Sequence, residues 1–117
     1  MAVYVTNLVV NAGADFSQSF TLEDANSNSA KNLTGHRVDA QMRKHAAAVG
    51  VTTFTTAIVN VATGEIKVGL STDQTRDLKP GRYVYDVMLT DNTDSMSRVI
   101  EGMVLVREGV IYIPTRL

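Results

Sequence analysis

Cysteine and tryptophan are absent from these 117 residues, and proline occurs only twice. Without cysteine there is no disulfide framework, no thiolate metal site and no redox clue to the compartment. Three Phe and four Tyr are too few for an aromatic platform on which sugars or single-stranded nucleic acid would stack. A net charge of −1 gives no overall attraction to nucleic acid or to an anionic membrane. The apolar runs are too short to span a bilayer, and the N-terminus lacks the basic start of a signal peptide.

What the chain does have is β-branched residues. Val and Thr supply 29 positions, which predicts an all-β domain. The length suits a single domain over 1–117 that buries roughly 65% of its unfolded surface. Its organising stretch is Lys79–Gly109 (KPGRYVYDVMLTDNTDSMSRVIEGMVLVREG). Pro80-Gly81 forms a corner. Tyr83, Tyr85, Val87 and Leu89 then alternate with polar neighbours, a polar loop follows, and Arg98–Arg107 resumes a β-prone run. This pattern predicts an antiparallel hairpin.

In chain order, Met1–Asn11 has no charged side chain and is apolar on both strand parities. Two readings fit: a terminal strand with exposed aliphatics, or a strand covered by a neighbouring subunit. Phe16, Phe20 and Leu22 share one face of the next strand, and Glu23–Ala30 is a polar loop without the regular spacing of a Ca²⁺ site. Val38, Ala40 and Met42 alternate in a strand to about Lys44, although Val38, Met42, Ala46 and Val49 also fit helical spacing. Ala46–Thr63 carries no charge, so its strand Val51–Val61 is expected to be central in a sheet or paired with another subunit. Glu65–Leu70 completes a second hairpin. Ser71–Leu78 is the one helical start, with Ser71 or Thr72 as cap and Gln74 at the capping-box position. Val110–Ile113 is a last extended piece, again apolar on both parities. The expectation is an antiparallel, immunoglobulin-like β-sandwich of seven to eight strands with one short helix.

Chemistry-bearing arrangements are missing. His36 and His45 have opposite strand parity and no ligand-spaced partners, so no metal site is expected. Nucleophile-elbow, phosphate-loop and dinucleotide motifs are absent. Asp86 and Glu101 sit on the two arms of the hairpin, where Arg82, Arg98 and Arg107 favour a surface ion pair over acid–base work. The basic residues and histidines of Lys31–His45 could meet a phosphate or an acidic partner, or simply form a solvated face. No catalytic residue and no cofactor are expected.

From Phe16 onward the motifs stand in a familiar order: DFSQSFTL, LTG with AQMR after it, GEIKVGLSTDQTRDLKPGRYVYDVML and RVIEGMVLV. This series, covering about residues 14 to 107, resembles the small β-sandwich module in virion structural proteins of tailed bacteriophages. It is similar to the N-terminal domain of phage baseplate upper proteins. The resemblance implies a non-catalytic virion component (tail, baseplate, neck or capsid surface) that assembles with other virion proteins. This chain adds Met1–Asn11 ahead of the module and ends at Leu117, where family members often continue into a receptor-binding part. Assembly is therefore expected ahead of the alternative, recognition of a host glycan or receptor through loops such as Glu23–Ala30 and Asp91–Ser97. A homo-oligomer is expected, with Val3, Val5, Leu8, Val10, Ile111 and Ile113 in the contact, and with neither nucleic acid nor membrane as partner.

Overall fold

The computed structural model describes residues 4–23 and 31–109. The described elements are β1 (Tyr4–Val5), β2 (Leu8–Asn11), β3 (Phe16–Thr21), β4 (Arg37–Arg43), β5 (Thr52–Thr53), β6 (Thr55–Asn60), β7 (Glu65–Leu70), α1 (Thr72–Arg76), β8 (Gly81–Thr90) and β9 (Met96–Arg107). They form a two-layer sandwich, as the β-branched composition predicts. One sheet runs β1-β9-β8-β4-β5, with β2 also on β9; the other runs β3-β7-β6. The strand tally exceeds seven because two strands are interrupted, at Thr6–Asn7 and at Phe54. The last expected strand, Val110–Ile113, lies outside the described residues.

The β8–β9 hairpin is the spine. Its register runs from Gly81 opposite Val106 to Thr90 opposite Met96, with a bulge between Val87 and Met88. At the bulge, the successive residues Val99 and Ile100 are both buried, which strict alternation would forbid. Tyr85, Val87 and Leu89 point inward with Val38, Ala40 and Met42 of β4, their direct cross-strand partners. Those pairings explain why 37–43 is a strand and not the helix its spacing allows, with the Ala-rich stretch after it a turn: three side chains at period two reach a core, and burial outweighs propensity. Ile66, Val68 and Leu70 of β7 close the core from the opposite layer, flanked by Phe16 and Phe20.

The helix forms where expected. Ser71 accepts from the Gln74 N–H, and the Gln74 side chain accepts from the Ser71 N–H, a complete capping box. Thr75, its one buried residue, donates to the Ala14 carbonyl at 2.8 Å and accepts from the Gly13 N–H at 3.1 Å. Asp15 accepts from the N–H and the hydroxyl of Thr72 at 2.8 and 2.7 Å. Those bonds hold its carboxyl below the usual carboxylate range. The single turn is thus fastened to the β2–β3 corner and does not stand on helix propensity.

Two expectations need correction. The N-terminal strand is not antiparallel: β1 and β2 both run parallel to β9, Tyr4 beside Ile100 and Leu8 beside Val104. Gly102 permits this arrangement, because an added Cβ would run into the Thr6 carbonyl. Tyr85, directly opposite Gly102, donates its hydroxyl to that carbonyl, and the Asn7 side chain accepts from the Met103 N–H at 3.0 Å. Burial pushes the Tyr85 hydroxyl up to about 12.

The uncharged strand, for its part, is not central. Its first part, β5, is the edge of the large sheet and its second, β6, the edge of the small one. The change of sheet occurs at Phe54, whose N–H donates to Ala40 O at 2.9 Å and whose ring is buried between Phe16 and Tyr85, each 6.2 Å away. Thr56 then reaches back across the gap, donating to Val38 O at 2.8 Å. The segment closes one side of the sandwich, and crossing between layers substitutes for the charges that guard other edges.

Candidate functional site

On a strand, alternate side chains face opposite ways, so the large sheet has an outer face that the small sheet does not cover. On β8 that face carries Arg82, Val84, Asp86 and Met88, and on β9 it carries Leu105, Met103, Glu101 and Arg98, paired in that order. Val9 lies beside Leu105 and Val5 beside Glu101. Five of these side chains are apolar and open to solvent: Val5 at 75%, Val9 at 49%, Leu105 at 42%, Met103 at 41% and Val84 at 37%. Val9 pairs with Leu105 and Val84 with Met103, two residues apart on one face of β9, while Val5 lies one level further along beside Glu101. Scattered exposed aliphatics are ordinary; a contiguous group rimmed by charge marks an interaction surface.

The rim is electrically lopsided. Arg82 pairs with Leu105 and Arg107 with Asn11 at one end of the patch, and Arg43 with Val84 at its middle. Among the described residues no carboxylate lies within ion-pair distance of these three arginines. Arg43 instead donates to Ala48 O at 2.7 Å, folding the turn after β4 against the sheet. At the other end Arg98 meets Asp86 at 3.4 Å and Glu101 at 4.0 Å. A shallow open depression lies between, lined by Gln41, Arg43, His45, Asp86, Arg98 and Met103. Asp86 and Glu101 are therefore cross-strand neighbours bridged by an arginine.

The residues expected in an assembly contact fall into three groups. Val5 is on the exposed patch. Leu8 and Val10 are 4% and 0% exposed, packed in this chain's own core; Val9 between them faces outward. Val3, Ile111 and Ile113 lie outside the described residues. Val9, Val84, Met103 and Leu105 are not among the residues expected in the contact, although the signal is in the sequence: Val104, Leu105 and Val106 put aliphatics on both parities, as the N-terminal segment does.

The recognition loops differ. Residues 24–30 lie outside the described residues. In the β8–β9 loop, Asp91 accepts from the Thr93 and Ser95 N–H groups, both at 2.9 Å, and from the Thr93 hydroxyl at 2.7 Å. These bonds lower the Asp91 carboxyl, and all three fall on its Oδ1 within its own turn. Among the described residues no three His, Asp or Glu side chains gather at metal-ligating distance. In the basic segment, Arg37 pairs with Asp39 at 3.2 Å and Lys44 lies 4.9 Å over the Tyr83 ring, so its cations are dispersed.

No family model matches the chain. No curated protein matches it either. Among solved structures it is similar to an internalin-like protein of Listeria monocytogenes, with a TM-score of 0.44 and 13% identity over 92% of this chain and 28% of that one. It is also similar to a family 123 glycoside hydrolase from Clostridium perfringens, with a TM-score of 0.42 and 13% identity over 94% of this chain and 24% of that one. The chain thus spans about a quarter of each. Likenesses this distant carry no argument about what the protein does.

Proposed function

We propose that this protein is a non-catalytic structural component of a tailed-phage virion, working through protein–protein assembly. The observation that supports this best is the exposed apolar patch across β1, β2, β9 and β8, rimmed by arginines that have no ion-pair partner among the described residues. A surface of this kind is costly to leave in water and gains by docking. The ordered series of motifs resembling the phage module supplies the class of assembly. Glycan or receptor recognition has less behind it, since Asp91 Oδ1 is committed to its own turn.

The test is composition of the particle. In gradient-purified, nuclease-treated virions, the protein is expected in a fixed copy number per particle and to resist high-salt washing. Its absence from washed particles overturns the virion reading. Glycan binding by the purified chain would move the assignment to recognition.

A further inference from the structure

We infer that β3, the open edge of the small sheet, pairs antiparallel with β3 of a second copy about a two-fold axis through Gln18. The inference deepens the reading of this chain as an assembly protein, on a surface separate from the patch of the large sheet.

β3 is paired on one side only, with β7. Which of its backbone groups remain free follows from the register. The Leu22 N–H donates to Gly64 O at 2.8 Å, in step with Thr21 beside Glu65. The Phe16 carbonyl also faces β7, 3.0 Å from where a Cβ on Gly69 would stand. Even-numbered residues therefore bond to β7. By the alternation of an antiparallel ladder, the N–H and C=O groups of Ser17, Ser19 and Thr21 point away from the sheet. Among the described residues these outward groups have one partner, the Gln18 side chain, which donates to Ser19 O at 3.0 Å. Ser17, Gln18, Ser19 and Thr21 are exposed, and residues 16–22 carry no charge, no proline and no bulge. The opposite side of the sandwich is closed by the crossing at Phe54; this edge has no such guard and can accept a further strand.

The occupant is named by the strand itself. Phe16-Ser17-Gln18-Ser19-Phe20 reads the same in both directions. Two antiparallel copies centred on Gln18 therefore set Gln18 beside Gln18, Ser17 beside Ser19 and Phe16 beside Phe20. Odd-numbered residues meet odd-numbered ones, so the outward groups of Ser17 and Ser19 bond to those of the second copy, donor to acceptor, on both sides of the axis. Phe16 and Phe20 are only partly buried in one chain. They fall at the closer, non-hydrogen-bonded positions, where an aromatic cross-strand pair forms twice. Asp15 comes beside Thr21 and meets no carboxylate there. Its nearest like charge, Glu65, stands one strand beyond Thr21, about 10 Å away, where salt screens it. A slip of two residues would set a phenylalanine beside Gln18 and lose these matches.

A contact one strand long is smaller than the ~800 Å² per partner of a standard interface, so association at about 10–100 µM is expected. Sedimentation equilibrium and disulfide trapping on the full chain test this. Gln18→Lys and Gln18→Glu each set like charges against each other at the axis, and are expected to weaken association at least about five-fold. An equimolar mixture of the two restores it through an oppositely charged pair. Ser19→Pro removes an outward donor while leaving the β7 ladder intact, and gives an independent loss; circular dichroism checks that each variant is folded. Gln18→Cys introduces the sole thiol and is expected to oxidise to a covalent dimer, since non-hydrogen-bonded partners lie at disulfide distance. Ser19→Cys faces Ser17 and should lag behind it. Val84→Lys, on the patch of the large sheet, should leave association unchanged. A wild type that stays monomeric to about 1 mM overturns the inference. So does a mixture that fails to restore association, a proline variant that associates like the wild type, a Ser19→Cys dimer that forms as readily as the Gln18→Cys one, or a loss with Val84→Lys. None of these results touches the virion reading, which stands or falls on the composition of the particle.

Discussion

At the scale of single residues, the contact between Gly102, Thr6 and Tyr85 decides whether the N-terminal strand can lie on β9. An added methyl at Gly102 points into the Thr6 carbonyl. Gly102→Ala is therefore expected to push β1 off its ladder and to destabilise the fold by roughly 1–3 kcal/mol in urea unfolding. Tyr85→Phe removes the hydroxyl that this carbonyl accepts from, at a cost of about 1 kcal/mol. The two variants also differ in their response to pH. The folded state raises the Tyr85 hydroxyl from 10.0 to about 12. Its contribution is thus fully present below the unfolded value and lost as pH climbs from 10.0 towards about 12. The stability gap between wild type and Tyr85→Phe should accordingly shrink across that window, while the gap to Gly102→Ala should not follow it. A gap that stays constant to pH 12 would mean that Tyr85 ionises alike in both states.

At the scale of elements, the capped helix start at Ser71–Gln74 and the β8–β9 hairpin were legible because each is set by neighbours in sequence, while the strand at 37–43 also fitted helical spacing and was decided by its pairing with β8. What escaped was set by neighbours in space. The parallel docking of β1 and β2 depends on a glycine nearly a hundred positions away, and no local period encodes that. The uncharged run Val51–Val61 signalled that an edge needed protection without saying how. Its remedy, crossing sheets at Phe54 and tying Thr56 to Val38 O, is a tertiary solution. Thr56→Val keeps the shape, removes the donor, and is expected to cost about 1 kcal/mol. Ala57→Lys, on the exposed parity of β6, should change stability by less than about 0.5 kcal/mol and slow aggregation on heating. Light scattering during a thermal ramp checks the second, and faster aggregation of the lysine variant would show that β6 is not the vulnerable edge. The candidate surface was half legible for a related reason: Val5 and Leu8 looked equivalent in an apolar run, and only their pairing with Glu101 and Val104 separates outside from inside.

At the scale of the whole molecule, the first and last described strands of the large sheet lie side by side and point the same way. The chain enters where Tyr4 meets Ile100 and leaves beyond Arg107, at the other end of the ladder. Tension between those two points runs along the strands, so the bonds holding β2 to β9 are loaded together, in shear. Pulling sideways on Asn11 and Arg107, which are direct neighbours, would instead open the same ladder one bond after another. A single-molecule experiment can compare the two directions through introduced cysteine handles, which are unambiguous in a chain with no native cysteine. The rupture force is expected to be higher along the strands than across them. Equal forces would mean that this ladder does not carry the load. A domain built this way is expected to resist a pull on its ends without unravelling first from β1.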